Sequence, residues 1–377
     1  MTIGFAPARF GLPASAVDDD LSVLRLIRSR RVGPTTFHRL IAEHGSAHAA
    51  LDALPRIAAQ SGIADYAVCP EGVAAAELSA GRRAGARLVR HDSPDYPDSL
   101  RQIDGAPAIL WVRGDPAWLS RDVMAVIGAR NASSLGLRMA RGMAVGLGEA
   151  GFTVVAGLAR GVDTAAHAAA LPTGTIAVMA GGVDVIYPAE NAELAARIAD
   201  CGVLVSEQPP GTEPAARHFP TRNRIVSGLS RGVVVIEAAQ RSGTLITARN
   251  ALDQGREVMA VPGHPMDARA AGCNALIRDG ATLVRSAADV ADALAQTRPL
   301  PEPIAIATPE PLPPPRDHGG PIQLESRILQ RLSPSPTEEN DLIRDLGVAA
   351  ATASAVILSL ELQGRVTRLA GGRLALS

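Results

Sequence analysis

The chain has 377 residues, 47% of them hydrophobic, and a formal net charge of −1 at neutral pH. That length accommodates a full α/β core with smaller modules beside it, while the near-neutral charge excludes a surface coated with basic residues, so any nucleic-acid contact must be a local groove. All 37 basic residues are arginines, which excludes a lysine Schiff base or lysine general base and makes any phosphate contact permanently charged.

The first residues carry Asp18, Asp19 and Asp20 rather than a basic region leading into an apolar run, and 18 apolar residues nowhere stand together; neither export nor membrane insertion is expected. Cys69, Cys201 and Cys273 are odd in number, widely separated and without metal-ligand spacing. That usage suits a reducing cytoplasm and suggests no metal site. Residues 1–85 read as a small helical domain, with Leu21, Leu24, Ile27 and then Phe37, Leu40, Ile41 spaced to line one face of short helices. Between them, Arg30-Arg31-Val32-Gly33-Pro34 resembles the turn of a helix-hairpin-helix (or SAM-like) element, whose backbone amides can hold a phosphate. A Gly-Pro turn serves an ordinary helical cap or interaction module equally well, and that is the preferred reading of these residues.

From Ala86 an extended, proline-punctuated lead-in enters an α/β domain spanning residues 86–298. Strands are predicted at Val123–Ile127, Phe152–Val155, Thr175–Met179, Val203–Val205, Val233–Ile236 and Glu257–Val261. Their alternation with helical patterns predicts a Rossmann-like, doubly wound, mostly parallel sheet. The Gly232–Glu237 stretch is the plainest, because Val233, Val234, Val235 and Ile236 are consecutive β-branched residues with no polar alternation, as in a strand covered on both faces. Gly128, Gly157, Gly181, Gly243 and Gly263 mostly fall just after strands, at the sheet edge where open α/β sheets bind ligands. Arg130, Arg160, Arg222, Arg224 and Arg241 fall in or near the same turns, and Ser242-Gly243-Thr244 can open a helix whose free N–H groups favour an anion. The combination points to a phosphate-bearing ligand. The G-x-G-x-x-G fingerprint is absent after the first strand of this domain, which counts against a nicotinamide cofactor.

Candidate catalytic groups are few. Asp163 and His167 lie four residues apart and can face each other on a helix, but a dyad needs a nucleophile, and neither Ser227 nor Ser242 sits in G-x-S-x-G. A buried structural pair is the preferred reading, and Glu207 and Glu237 are read as ion-pair partners for nearby arginines. No catalytic residue is expected. Residues 299–321, with Pro313-Pro314-Pro315, form a proline-rich linker. Residues 322–377 then read as helices at Leu324–Leu332, Glu338–Leu346 and Thr352–Gln363, with a hairpin of Arg365–Leu369 and Arg373–Leu376 through Gly371-Gly372, a winged-helix pattern. Ala349–Leu360 holds no arginine, so a protein-contact or auxiliary role is preferred over groove reading.

The runs VIGARNASSLG, AGLARGVDTAAHAAAL, TIAVMAGGVDVIYPAENAEL, LVSEQPPGTEPAARHFPTRNRIVSGLSRGVVVIEA, RSGTLITARNAL, REVMAVPGHP and GCNALIRDGA follow in order between about Pro94 and Val284. This ordered set resembles the DNA processing protein A family, also called DprA or Smf. The resemblance implies a Rossmann-fold core that binds single-stranded DNA, commonly as a homodimer, protects incoming DNA in natural transformation and helps load the RecA recombinase. It implies neither an enzyme nor a cofactor. The family's Gly-Ser-Arg phosphate loop corresponds to Gly128, Ala129 and Arg130, with alanine replacing the serine. Its Phe-Pro-x-Arg-Asn-Arg block is intact, with Phe219 available to stack on a base while arginines hold the backbone. The expected DNA or phosphate site comprises Gly128, Ala129, Arg130, Ser133, Gly157, Arg160, Gly161, Phe219, Arg222, Asn223, Arg224, Arg241, Ser242, Gly243 and Thr244. The core also resembles cytokinin-activating phosphoribohydrolases and lysine-decarboxylase-like proteins, but Thr247 stands where their catalytic glutamate would be. A nucleotide enzyme of that type is the alternative reading, and a nucleotide-sensing regulator a third.

Overall fold

The computed structural model describes residues 19–60, 65–296, 321–333, 337–369 and 373–376. Two compact units divide after residue 298. The expected linker, apart from Pro321, and the expected Gly371-Gly372 turn lie outside the described residues.

The first unit opens with helices α1 (Asp20–Arg28), α2 (Pro34–His44), α3 (Ala47–Gln60) and α4 (Glu71–Arg83). Their ends follow local chemistry. Asp19 caps α1 by accepting from the Ser22 N–H at 2.6 Å, Pro34 sits in the first turn of α2 where its missing N–H costs nothing, and Gly45 closes α2 in the left-handed region. Leu24, Leu26, Phe37 and Leu51 from these helices share a buried cluster with Trp111, Ala177 and Leu204 of the sheet.

The sheet has nine strands: β1 (Arg87–Arg90), β2 (Ile109–Gly114), β3 (Val123–Ile127), β4 (Thr153–Ala156), β5 (Thr175–Val178), β6 (Val203–Ser206), β7 (Gly232–Val235), β8 (Glu257–Ala260) and β9 (Thr282–Leu283). Among them run α5 (Asp98–Arg101), α6 (Ser134–Glu149), α7 (Val162–Ala170), α8 (Ala192–Cys201), α9 (His218–Leu229), α10 (Thr244–Asp253), α11 (Ala271–Arg278) and α12 (Ala287–Gln296). The spatial order is β1-β2-β6-β5-β4-β3-β7-β8-β9, with β6 parallel to β5, and β5, β4, β3, β7, β8 and β9 parallel throughout. Alternate residues of each central strand feed opposite layers. Val233 and Val235 pack with Ile225 and Leu229, whereas Val234 packs with Met124, Met143 and Leu147. This is the doubly wound sheet that the run of β-branched residues predicts.

One expectation is corrected. The lead-in from Ala86 is not merely extended chain, because β1 pairs antiparallel with β2, and β2 antiparallel with β6, closing one edge of the sheet. The basic segment around Phe219 forms the first half of α9. Pro220 is tolerated there because it lies in the first turn, where its missing N–H has no helical partner to lose.

The second unit comprises α13 (Pro321–Arg331), β10 (Thr337–Glu338), α14 (Glu339–Leu346), α15 (Ala350–Leu362), β11 (Val366–Leu369) and β12 (Arg373–Leu376). β12 pairs antiparallel with both β10 and β11, and Leu324, Ile328, Leu342, Ile357, Leu360 and Leu374 form its core. Three helices on a small antiparallel sheet are the winged-helix arrangement read from the sequence. Among the described residues no helix is long and apolar enough to cross a membrane, and no group of three His, Cys, Asp or Glu residues is placed to hold a metal ion.

Candidate nucleic-acid interface

The strand order reverses at β3, from which the chain builds one way through β4, β5 and β6 and then the other way through β7, β8 and β9. At such a switch point the loops leaving adjacent strands diverge and leave a crevice at their carboxyl ends. Here it holds two lobes, of about 360 and 630 Å³, which share Arg130, Asn131, Gly157, Ala159 and Phe219. The smaller lobe continues along Met179, Gly181 and Tyr187, the larger along Asn223, Arg241, Ser242, Gly243 and Thr244.

Close backbone approach builds the floor. Gly161 sits at φ +80°, and a Cβ there would lie 2.3 Å from the Ala129 carbonyl, which itself accepts from the Val162 N–H. A Cβ on Gly157 would lie 1.7 Å from the Arg222 Nη1 atom, so only glycine leaves room for that guanidinium to lie flat on the loop after β4. The Thr244 hydroxyl donates to the Gly128 carbonyl at 3.0 Å, while the Thr244 N–H donates to the Ser242 hydroxyl, tying the start of α10 to the loop after β3.

Helical periodicity decides what α9 contributes. Phe219, Arg222, Asn223 and Val226 are spaced three, four and seven residues apart and all line the larger lobe. Thr221 and Arg224 fall on another side of the helix and line a separate hollow with Arg28 and Glu207.

The cleft is cationic and carries aromatic rings. The exposed Arg130 guanidinium carbon lies 5.1 Å from the Phe219 ring centroid, and that ring meets Tyr187 edge-on at 5.8 Å. Arg222 is buried and donates from Nη1 to the Val178 carbonyl at 2.7 Å, while its Nε has no hydrogen-bond partner. Burial pushes its pKa down to about 10, opposed by the charge of Asp163, so it remains a cation at neutral pH. Arg241 and Arg269 are exposed on the lip of the larger lobe. Arg160, on the rim of the smaller one, is exposed and paired with Glu190 at 2.8 Å.

Several expected site residues have other partners. Ser133 caps α6 by accepting from the Gly136 N–H, and its own N–H and hydroxyl donate to Glu237. Glu237 is therefore held by a helix start rather than paired with an arginine. Arg224 is engaged by Glu207, the partner type expected for that glutamate, and faces away from the cleft. Gly161 acts on the backbone beneath the site. Asp163 and His167 are both buried but do not pair with each other: Asp163 accepts from the N–H groups of Gly157 and Ala159, and the His167 Nδ1 bonds the Thr175 hydroxyl at 2.8 Å. Burial raises the Asp163 pKa and pushes His167 down to about 3. Tyr187, Asn131 and Arg269 line the cleft but were not singled out by motif reading. A tyrosine soon after the Gly181-Gly182 turn, in a chain with 3% aromatic residues, was the available signal for the first. Thr247 is buried in the wall of the larger lobe.

The family profile for DNA recombination-mediator protein A matches residues 87–295, that for the DprA-like N-terminal HHH domain residues 17–80, and that for the DprA winged helix domain residues 307–372. The chain is similar to the DNA processing protein DprA of Bacillus subtilis, at 42% identity over 220 residues, covering 58% of this chain and 74% of that one. Among solved structures, DNA processing protein A of Streptococcus pneumoniae superposes with a TM-score of 0.64 at 34% identity, covering 73% of this chain and 98% of the other. The Helicobacter pylori DNA processing protein A, a structure concerned with that protein's single-stranded DNA binding mode, superposes at 0.52 with 26% identity, covering 56% and 98%.

Proposed function

Because this chain belongs to the DNA recombination-mediator protein A family, and its role is therefore in DNA processing and recombination, we propose that the cleft at the switch point binds single-stranded DNA. In this reading the protein protects the strand and passes it to the RecA recombinase, acting as a homodimer in the cytoplasm and without turnover. Residues 86–298 carry the strand and residues 322–377 form an auxiliary module.

The observation that carries the reading is the convergence of Arg130, Phe219 and Tyr187 in one cleft, beside buried Arg222 and the exposed Arg241 and Arg269. Aromatic faces accept any base and arginines hold the backbone, the combination that sequence-tolerant single-strand binding requires. The Helicobacter pylori relative's single-strand binding supports it further. Against a hydrolytic role stand Thr247 in place of the catalytic glutamate and the engagement of the Asp163 carboxylate with two backbone N–H groups.

The test is fluorescence anisotropy of a labelled oligothymidine titrated against salt, beside the duplex of the same sequence. The intact chain is expected to prefer the single strand. Arg130→Ala is expected to bind more weakly across all sequences and to lose about 0.7 from the slope of log affinity against log salt, the value of one single-strand phosphate contact. Unchanged affinity in Arg130→Ala would remove the proposed site. Release of free base from nucleoside monophosphates would favour the enzyme instead.

A further inference from the structure

We propose that Arg28, Glu207 and Arg224 are positioning residues, an ion-pair strut through which the N-terminal helices hold α9, and with it Phe219, at the strand-binding cleft. The proposal rests on the single-strand reading above and assigns Arg224 a role other than phosphate contact.

The strut is continuous. Arg224 Nη2 lies 2.7 and 2.6 Å from the two carboxylate oxygens of Glu207, the residue that follows β6. The Glu207 backbone carbonyl accepts from Arg28 Nη2 at 3.3 Å. Arg28 ends α1 and is itself held flat by Glu77 of α4, with Nε to Oε2 at 3.0 Å and Nη2 to Oε1 at 2.8 Å. Glu77 Oε1 also accepts from the Trp111 indole N–H of β2 at 3.0 Å. One chain of charge-assisted bonds therefore runs from β2 through α4, α1 and Glu207 to α9. On the other side, Gln254, just after α10, donates to the Arg224 carbonyl at 3.1 Å. Because α10 presents Ser242, Gly243 and Thr244 at its start, two of the helices lining the larger lobe meet at Arg224.

The geometry is that of a support rather than a ligand contact. Side-chain exposure is 18% for Arg224 and 13% for Glu207, so solvent screening is weak and the loss of either partner leaves a mostly buried charge uncompensated. An arginine that met the strand would face the cleft, as Arg130 and Arg222 do. Arg224 instead lies five residues beyond Phe219, about 140° around the helix at about 100° per residue. The side chain that stacks and the side chain that anchors thus occupy different faces of one rigid element.

The experiment uses the full chain carrying Arg224→Ala, Glu207→Gln or Arg28→Ala. Oligothymidine affinity is read against salt, and amide hydrogen exchange of α9 is read without DNA. Each variant is expected to lose about 2- to 30-fold in affinity, the range for couplings carried by packed networks, with an unchanged salt slope. Amides of α9 should exchange faster, and the melting temperature of Glu207→Gln should fall, because the mostly buried Arg224 charge loses its partner. The double variant Glu207→Arg with Arg224→Glu should recover affinity. A slope reduced by about 0.7 in Arg224→Ala would make Arg224 a phosphate ligand and overturn the strut. Unchanged affinity and unchanged α9 exchange in both Arg224→Ala and Glu207→Gln would overturn it as well. If the intact chain fails to bind oligothymidine, the reading of the cleft fails, and the exchange rates alone then decide whether Arg224 anchors α9.

Discussion

Replacing Phe219 with alanine tests the cleft at the point where most of its binding energy is expected to converge. The ring sits edge-on to Tyr187 at 5.8 Å and beneath the Arg130 guanidinium at 5.1 Å, so truncation removes both a base platform and the surface that orients a cation. Stacking of one base on an aromatic side chain contributes about 1–3 kcal/mol, and an exposed cation–π contact about 0.5–1 kcal/mol. The sum, about 1.5–4 kcal/mol, corresponds to roughly a tenfold to thousandfold rise in Kd. Phe219→Leu keeps apolar volume but removes the π face, and is expected to retain most of the loss. Anisotropy of a labelled oligothymidine at one fixed salt concentration measures it, with thermal unfolding as the control for folding. A loss below about twofold in a folded Phe219→Ala variant would show that the aromatic pair is packing alone, and the stacking argument would fail.

Gly157→Ala places a methyl group 1.7 Å from Arg222 Nη1 and must push the guanidinium off the Val178 carbonyl. Loss of that buried, charge-assisted bond is expected to cost about 1.5–3 kcal/mol, measured as a lower denaturant midpoint; a parental midpoint would refute it. Burial holds His91 neutral down to about pH 4 and His167 down to about pH 3, against 6.5 in the unfolded chain. The unfolded state therefore takes up protons first on acidification, so their contribution is complete above about pH 6.5 and is lost as pH falls toward those values. His167→Gln should flatten denaturant midpoints measured between about pH 4 and 7, and an unchanged pH profile would refute the assignment. Removing the chain after residue 298 is expected to leave oligothymidine affinity unchanged, because α15 carries no arginine. Anisotropy on the shortened chain checks this, and a large loss would give the second unit a strand contact.

The sequence by itself determined the parallel sheet and the edge at which its cleft lies. The β-branched run from Val233 reads as a strand covered on both faces, as β7 is, and glycines after successive strands mark loops that pack closely. Those signals are local, carried by spacing and by backbone freedom. The antiparallel edge was not legible, because β2 finds β6 across some ninety residues of chain and nothing in its own proline-punctuated approach names that partner. The roles of the polar side chains were hidden for the same reason. Ser133 meets Glu237, His167 meets Thr175 rather than Asp163, and Arg224 meets Glu207 because helices dock on the sheet with a particular rotation. Motif reading placed Arg222 and Arg224 side by side. Tertiary packing turned one toward the cleft and the other toward the N-terminal helices, since residues two apart on a helix lie about 200° around its axis.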